Sequence, residues 1–340
     1  AMQDLGRLVD ADFPFLSVVV PCYNEALVLP EMHQRLVRAC EAAVGSDFEL
    51  VFVDDGSTDR TGELLHQYHF DDARFVIVTL SRNYGHQLAL SAGLKMVRGE
   101  KILVLDADLQ DPPELLKPML DLMEQGYDIV YGQRESRKEE TKFKRRSSHY
   151  FYRVLNQIAE IDIPKDTGDF RLMSRRVVDV LNDMPEADRF FRGMASWVGY
   201  PQIAFPYHRE ARYAGETKYS LRKMVSLAVD AITSFSTFPL TVATTLGFII
   251  AGFAGLFGIY TVALYFLGHT VQGWATLSVL ILLLGGVQLI LLGVVGEYIG
   301  RIYLQGKGRP LYVVDEVLCA PRSEMAARLG QKIYSGPALE

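Results

Sequence analysis

The 340-residue chain is long enough for one or two domains, and its formal net charge of −6 argues against general nucleic-acid binding. Three widely spaced cysteines, Cys22, Cys40 and Cys319, form neither a CxxC pair nor a zinc-binding pattern, which favours structural thiols in a reducing compartment. The composition changes sharply along the chain. The part up to about residue 219 is typical of a soluble α/β protein, whereas residues 238–299 are apolar and almost free of charge.

Short apolar runs alternate with helical patterns in the first half of the chain. Five of these runs are rich in strand-forming residues, at 15–20, 50–53, 75–80, 102–105 and 128–131. Strands that alternate with helices predict βαβ units and a mostly parallel sheet. A polar cluster follows each of the first four runs, in the order PCYNE, DDGSTD, SRNYGH and DADLQDPPE. Ligands bind beyond the carboxyl ends of the strands in such sheets, so we expect the clusters to form one site.

Two later stretches, 239–267 and 274–299, are each longer than the ~20 apolar residues that span a bilayer core. Both are apolar on all faces, which favours membrane helices over buried core helices. The short loop between them has no Lys or Arg, and basic residues flank the outer ends, namely Arg222, Lys223, Arg301, Lys307 and Arg309. The positive-inside rule therefore predicts that both outer ends, and the soluble domain with them, are cytoplasmic.

Two further stretches show an apolar stripe beside basic residues, which is typical of helices that lie on a membrane surface. The first covers about 144–160, where packing on the sheet is an equal alternative, and the second covers 220–237 and leads into the first span. After the second span, residues 310–318 predict an edge strand. These patterns divide the chain into a soluble domain at 13–219, a juxtamembrane helix at 220–237, two spans within 238–304 and a tail at 305–340.

The sequence DADLQ at residues 106–110 ends an apolar run with two carboxylates that are two residues apart. Mg²⁺ and Mn²⁺ prefer carboxylate oxygens together with phosphate oxygens. We therefore predict that Asp108 binds a metal, that Gln110 supplies or orients a further oxygen, and that Asp106 contacts a nucleotide or reaches the metal through water. A solvated acidic turn before a helix that starts at Pro112 is the alternative for this motif alone.

Three of the clusters taken together, PCYNE at 21–25, DDGSTD at 54–59 and DADLQDPPE at 106–114, resemble those of the family 2 glycosyltransferases of GT-A fold. The full set is similar to dolichyl-phosphate mannose synthases and to bacterial polyprenyl-phosphate (bactoprenol) glucosyltransferases over about residues 15–220, and the two-span tail matches the bacterial branch. The resemblance implies an α/β GT-A domain with a mostly parallel central sheet, followed by interfacial amphipathic helices and two transmembrane helices. The catalytic domain would then lie on the cytoplasmic side of the inner (plasma) membrane.

The activity that this resemblance implies is inverting transfer of a sugar, glucose from UDP-glucose, to polyprenyl (undecaprenyl) phosphate. The same reaction with GDP-mannose or another UDP-sugar is the alternative within this class. The implied cofactor is Mg²⁺ or Mn²⁺, and the implied partners are the nucleotide-sugar donor, the polyprenyl-phosphate lipid and the membrane. The paired spans add the expectation of a homo-oligomer.

The resemblance also implies roles for individual residues near the donor. Contacts to the nucleotide fall on Pro21, Tyr23, Asn24, Glu25, Asp55, Gly56, Ser57, Asn83, Gly85 and Asp106. A planar base favours an aromatic wall and a carboxylate that accepts its imide N–H, which agrees with the roles of Tyr23 and Asp55. For DDG at 54–56 a plain turn with a helix cap is the alternative, and it is compatible with binding.

In DTGDFRL at 166–172, the resemblance assigns catalytic roles to Asp169, which would face the acceptor, and to Arg171, which would steady the donor diphosphate or the base. A surface salt bridge between these neighbours is the alternative. Two pairs of basic residues are assigned to anions, Arg212 and Lys218 to the donor diphosphate and Arg134 and Arg146 to the acceptor phosphate. The first pair lies in a glycine-containing loop that would close over the diphosphate and exclude water. The second pair lies in a basic run that is otherwise typical of a solvated face.

The sequence RFFRG at 189–193 stands where processive synthases of the same family carry Gln-x-x-Arg-Trp, and the absence of that motif argues against polymer synthesis. Core packing explains Phe190, Phe191 and Trp197 in this stretch as well as a role in the site does.

Two functions of a different class are a lipid flippase or channel component and a nucleotide-sensing membrane scaffold. Two spans are too few to enclose a path unless several chains assemble. Release of a nucleoside diphosphate on addition of donor and lipid separates the enzyme from both alternatives.

Overall fold

Eight strands form one mixed sheet in the part of the chain that the computed structural model describes, residues 13–134, 167–187, 189–208, 238–267 and 273–319. These strands are β1 (Leu16–Cys22), β2 (Phe48–Asp54), β3 (Phe75–Leu80), β4 (Lys101–Val104), β5 (Ile129–Arg134), β6 (Thr167–Ser174), β7 (Gln202–Tyr207) and β8 (Val314–Leu318). Their order across the sheet is β7-β5-β6-β4-β1-β2-β3-β8. Four of the seven neighbouring pairs are parallel, which confirms the mostly parallel sheet.

Helices cover both faces of this sheet and also follow it in the chain. They are α1 (Leu29–Val44), α2 (Thr61–Asp71), α3 (His86–Met96), α4 (Leu116–Met123), α5 (Arg175–Asp183), α6 (Phe191–Trp197), α7 (Phe238–Phe266) and α8 (Trp274–Gly306). The helix predicted from Pro112 begins at Leu116, after a 3₁₀ turn at Pro113–Leu115. Pro112 itself is extended, because a residue that precedes a proline is disfavoured in the helical conformation.

The central strands are buried on both faces. Every residue of β1 and β2 is buried, and parallel strands covered on both sides carry unbroken apolar runs instead of alternating ones. One hydrophobic cluster lies under α1, α2 and α4 and contains Phe52, while a second lies under α3, α5 and α6 and contains Phe191. Helix α3 packs very closely on the sheet, since a Cβ atom at Gly93 would lie 2.4 Å from Val19 Cγ1. The sheet therefore fixes α3, which directly follows the third polar cluster.

Helices α7 and α8 are long and apolar enough to cross a membrane. The candidate spans are Pro239–Leu264, with a mean hydropathy of 2.0, and Leu283–Gly306, with a mean hydropathy of 1.7. Neither span is buried within the described residues, so the interpretation as core helices does not fit. Helix α8 continues beyond the predicted end at residue 299, and its last turns contain an ion pair between Glu297 and Arg301.

The chain returns to the sheet after α8. Strand β8 lies within the predicted edge strand at 310–318 and pairs antiparallel with β3. Two further contacts hold it there, because the Ser81 N–H donates to the carbonyl of Val313 at 3.0 Å and His66 Nε2 lies 3.1 Å from Glu316 Oε2. The predicted helices at 144–160 and 220–237 lie outside the described residues, so the domain boundaries remain predictions.

We expect a variant that lacks residues 239–299 to be soluble without detergent and to unfold cooperatively, because neither hydrophobic cluster contains a residue of α7 or α8.

A second variant, which lacks residues 239–299 and also ends after Gly308, should melt at a lower temperature than the first because β3 then loses its edge partner. Each kcal/mol lost should lower the melting temperature by roughly 2–4 °C in a domain of this size. Circular dichroism measures both transitions, and equal melting temperatures would contradict a stabilising role of β8.

Candidate active site

The polar clusters meet at the carboxyl ends of four adjacent strands, β4, β1, β2 and β3. Hydrogen bonds join the first cluster directly to the second. The Asn24 N–H donates to Ser57 Oγ at 2.9 Å, and Asn24 Oδ1 accepts from the Thr58 N–H at 2.8 Å. Asn24 has a φ of 54°, a left-handed conformation that asparagine tolerates better than most side chains. The first two of the clusters expected to form one site therefore lie against each other, and Asn24 holds them together.

Asp55 joins the second cluster to the third. Its two carboxylate oxygens accept from the backbone N–H groups of Tyr84 and Gly85, at 2.7 and 2.9 Å, and the residue is buried. Burial raises the pKa of Asp55, and the two backbone hydrogen bonds oppose that rise without cancelling it. The carboxylate predicted to hold a base thus also holds the loop that contains Asn83.

Gly56 lets the second and third clusters approach each other. Its φ is +67°, and a Cβ atom would lie 2.5 Å from the backbone carbon of Arg82 and 2.8 Å from the nitrogen of Asn83. A side chain at this position would be strained by the backbone conformation and would also collide with a neighbouring main chain. Only glycine fits this position.

The DADLQ loop after β4 turns at Leu109, which is buried and has a φ of 56°. Within the turn, the Gln110 N–H donates to Asp108 Oδ1 at 3.1 Å. Asp106 Oδ1 is buried and makes no hydrogen bond to any described residue, and burial raises the pKa of Asp106 to about 6. Asp108 is half-buried, and its role as a metal ligand remains a prediction. A buried, unsatisfied carboxylate oxygen beside a second carboxylate fits a divalent cation.

His86 bridges the DADLQ loop and Asp169 of β6. Its Nε2 atom lies 3.4 Å from Asp106 Oδ1 and 3.1 Å from Asp169 Oδ2. Burial alone would lower the pKa of His86, but the hydrogen bond to Asp169 and the charge of Asp106 raise it to about 9. One ligand atom of each of these three residues lies within 4.8 Å of the others, a group that can in principle hold a metal. The oxygen set of DADLQ suits Mg²⁺ or Mn²⁺ better than a set with imidazole.

Asp169 is buried and accepts hydrogen bonds from three described side chains. Oδ2 accepts from His86 and from Gln87 Nε2, the latter at 2.9 Å, and Oδ1 accepts from Arg192 Nε at 3.0 Å. Burial opposes ionisation of this group, yet Arg192 and His86 hold the pKa of Asp169 well below its usual range. Asp169 is therefore a fixed anion.

Arg171 points into the domain interior. The side chain is buried, and its guanidinium donates to the carbonyls of Gly168 at 3.1 Å and Phe191 at 3.3 Å. Burial lowers the pKa of Arg171 to about 10. A surface salt bridge between Asp169 and Arg171 is excluded because both residues are buried. The role of Arg171 towards a diphosphate remains a prediction.

Arg134 lies next to Gly168 of β6 and belongs to a polar network. Its NH2 atom lies 3.7 Å from Asp111 Oδ2, its Nε atom is 3.3 Å from the Tyr207 hydroxyl, and that hydroxyl donates to Asp111. A Cβ atom at Gly168 would lie 2.5 Å from the Arg134 guanidinium, so this glycine makes room for it. The network ties the DADLQD loop to the ends of β5 and β7. The other predicted anion-binding residues, Arg146, Arg212 and Lys218, lie outside the described residues.

Comparison with known proteins identifies the family. The chain is 47% identical to the uncharacterized glycosyltransferase YkcC of Bacillus subtilis, over 88% of this chain and 93% of the relative. A sequence family described as glycosyl transferase family 2 matches residues 17–181. The chain belongs to the family 2 glycosyltransferases. The prophage bactoprenol glucosyl transferase homolog of Escherichia coli is 39% identical to this glycosyltransferase, over 89% of the chain and 99% of the relative.

Among solved structures, S. aureus TarS 1-349 in complex with UDP-GlcNAc is 17% identical to this glycosyltransferase, with a TM-score of 0.44 over 64% of this chain and 65% of that chain. Membership in the family confirms two predictions from the motifs, the glycosyltransferase class and the GT-A fold.

Several residues of this site are not among those predicted from the sequence. The resemblance places the stretch NYGH at 83–86 near the nucleotide, but nothing in the sequence predicts the contact of His86 with Asp169, and Gln87 and Arg192 carry no predicted role. Arg192 lies in RFFRG, where the absence of the processive motif was the only signal. The alternative of core packing fits Phe191, which is buried, but does not fit Trp197, which is 63% exposed at the end of α6.

We expect Gly56→Ala to destabilise the glycosyltransferase more than Gly45→Ala, the matched control. Both glycines have nearly the same φ, +67° and +68°, but a Cβ atom at Gly45 meets nothing within 4 Å. Gly45→Ala should lower the free energy of unfolding by about 1–3 kcal/mol, the cost of a residue held in a sparsely populated backbone region, since Gly45 has a φ of 68° and a ψ of −131°. The collision with Arg82 should add roughly 1–3 kcal/mol for Gly56→Ala. Chemical unfolding in detergent measures both values, and equal losses would contradict the close approach.

Proposed function

We propose that this glycosyltransferase transfers glucose from UDP-glucose to undecaprenyl phosphate, with inversion at the anomeric carbon. The observation that carries the proposal is the bridge at His86, through which the donor-side carboxylate Asp106 and the acceptor-side carboxylate Asp169 lie in one site. The bactoprenol glucosyl transferase of Shigella phage SfV, 40% identical over 88% of this chain and 97% of the relative, supports the choice of sugar and lipid. Transfer from GDP-mannose or another UDP-sugar is the alternative.

The donor would lie along the first three clusters, with its diphosphate towards DADLQ. Asp108, Gln110 and Asp106 would hold Mg²⁺ or Mn²⁺, which when bound neutralises charge on the diphosphate. Pro21, Tyr23 and Glu25 would line the base and ribose, and Arg212 and Lys218 would cover the diphosphate from the loop that closes the site. The hydrogen-bonded frame of Asn24, Asp55 and Gly56 supports this assignment, since it holds these loops against one another before a ligand binds.

The acceptor phosphate would approach from the side of Asp169 and Arg134. An oxygen of the lipid phosphate forms the new bond to the anomeric carbon as the bond to UDP breaks, and UDP leaves with the electron pair. No proton has to be removed, because a phosphate monoester has a second pKa of about 6 and is largely a dianion near pH 7. The three hydrogen bonds to Asp169 support a positioning role and not that of a general base. Arg134 and Arg146 would hold the phosphate.

Helices α7 and α8 would anchor the enzyme in the inner membrane as a two-span protein, with its catalytic domain in the cytoplasm. Their length and apolar composition support this location, and a long-chain lipid acceptor requires a domain at the bilayer surface. Association of two or more chains through these helices is part of the proposal.

The experiment is a transfer assay with purified enzyme in detergent, undecaprenyl phosphate and a panel of UDP-glucose, other UDP-sugars and GDP-mannose. We expect release of UDP that depends on the lipid, together with a hexosyl-phosphate lipid detected by mass spectrometry. A flippase component or a nucleotide-sensing scaffold would release no nucleoside diphosphate. A preferred donor other than UDP-glucose would change the sugar but keep the reaction class.

We expect Asp108→Ala to reduce transfer by roughly 100-fold or more, which corresponds to about 3 kcal/mol in the barrier, because the cation at the diphosphate is lost. Asp121→Ala is the control, since Asp121 pairs with Lys117 on the exposed surface of α4. Both proteins should keep the melting temperature of the wild type. Transfer that persists undiminished in chelator would rule out the proposed metal.

A further inference from the structure

Asp169 and three residues around it form a closed ring of contacts, which we call the Asp169 ring: Gln87, Asp169, Phe191 and Arg192. Gln87 Nε2 donates to Asp169 Oδ2 at 2.9 Å, and Gln87 Oε1 accepts from the Phe191 N–H at 3.0 Å. The residue after Phe191 is Arg192, whose Nε donates to Asp169 Oδ1 at 3.0 Å. The ring therefore joins α3, β6 and the first turn of α6, and it gives each oxygen of Asp169 its own donor.

The inner side of the ring is fixed by packing. Phe191 is buried in the cluster under α3, α5 and α6, and its carbonyl accepts from the buried guanidinium of Arg171 at 3.3 Å. Both the N–H and the carbonyl of Phe191 are thus held, so the start of α6 has one position relative to Asp169. Arg192 is the outer member, because its side chain is 30% exposed whereas that of Asp169 is 3% exposed.

The charge of Arg192 has a consequence for an anionic acceptor. A carboxylate that faces an incoming phosphate dianion repels it unless a cation compensates. An arginine stays protonated over the whole working pH range, and its planar guanidinium fixes direction as well as charge. His86 also compensates Asp169, but its Nε2 atom lies close to Asp106 as well and is shared between the two carboxylates. Among the described residues, Arg192 is the cation that contacts Asp169 from α6.

We propose that Arg192 and Gln87 are positioning residues, which fix the orientation of the Asp169 carboxylate and, through Arg192, offset its charge so that a phosphate acceptor can approach. The identity of the acceptor in this statement rests on the proposed function. The ring itself rests only on the geometry.

The test compares Arg192→Gln and Arg192→Lys with the wild type. Arg192→Gln should lower kcat/KM for undecaprenyl phosphate by about 10- to 100-fold, the range for loss of a hydrogen bond to a charged group. The KM for UDP-glucose and the affinity for UDP should stay unchanged, because Asn24 and Asp55 hold the nucleotide loops in place. Arg192→Lys should recover part of the loss, since it restores the charge but not the planar guanidinium.

Arg176→Gln is the matched control. Arg176 also pairs with a buried aspartate, Asp128, but this pair involves α5 and lies away from Asp169. Its transfer kinetics should equal those of the wild type. An equal loss in Arg176→Gln and Arg192→Gln would overturn the proposal, because it would show a general effect on stability. Loss of UDP affinity in Arg192→Gln would overturn it as well.

A double-mutant cycle with Asp169→Asn separates positioning from direct contact with the acceptor. If Arg192 acts through Asp169, Arg192→Gln should cause no further loss of transfer in the Asp169→Asn background. Two losses that add up would show that Arg192 acts on the substrate by itself and would refute the positioning role.

Crystal structures of Arg192→Gln and Arg192→Lys provide a test that needs no acceptor. The Asp169 carboxylate should rotate away from its wild-type orientation in Arg192→Gln, and an unchanged orientation would refute the ring as a positioning device. If Arg192→Gln does not fold, the Arg192→Lys structure answers the same question. Should the wild type transfer nothing to undecaprenyl phosphate, the proposed function fails, and the orientation of Asp169 in these structures still decides the inference.

Discussion

A buried carboxylate stays ionised only if hydrogen bonds and opposite charge replace the water that it loses, and Asp169 imposes that requirement on the whole site. Its donors come from α3 and α6, and their side chains reach it only because both helices pack on the same face of the sheet. The contact at Gly93 lets α3 lie close to β1, which places His86 and Gln87 at the height of the strand ends. The packing of α3 and α6 on the sheet therefore determines which donors reach Asp169.

The strand pattern and the polar clusters could be predicted from the sequence because they depend on local order. Buried parallel strands give apolar runs, and the residues that follow them must gather at one edge of the sheet. The partners of Asp169 could not be predicted in this way. His86 is 83 residues from Asp169, and no periodicity connects α3 with β6. Arg192 follows two aromatic residues in a helix of seven residues, too short to show an amphipathic pattern.

Arg171 shows a second kind of contact that the sequence does not predict. The family resemblance implies that Arg171 steadies the donor diphosphate or the base, and that role remains a prediction. The two backbone carbonyls in the interior that its guanidinium contacts could not be predicted from the sequence. The left-handed conformations of Asn24 and Leu109 also could not be predicted from the sequence. Residues other than glycine rarely adopt this conformation, and the surrounding contacts must hold them in it. Both residues lie in loops of the site.

The position of β8 limits how far the end of α8 can lie from the site. Because β8 runs antiparallel to β3, its first residue, Val314, pairs with the last residue of β3, Leu80. The chain that leaves α8 therefore reaches the sheet at the edge where Asn83, Gly85 and His86 begin. Gly306 and Val314 are eight residues apart, so α8 ends within about 28 Å of that edge even if the connection is fully extended. A helix attached elsewhere on the sheet would not have its distance from the site limited in this way. The strand pairing that completes the sheet thus keeps the end of the apolar helix α8 close to the site.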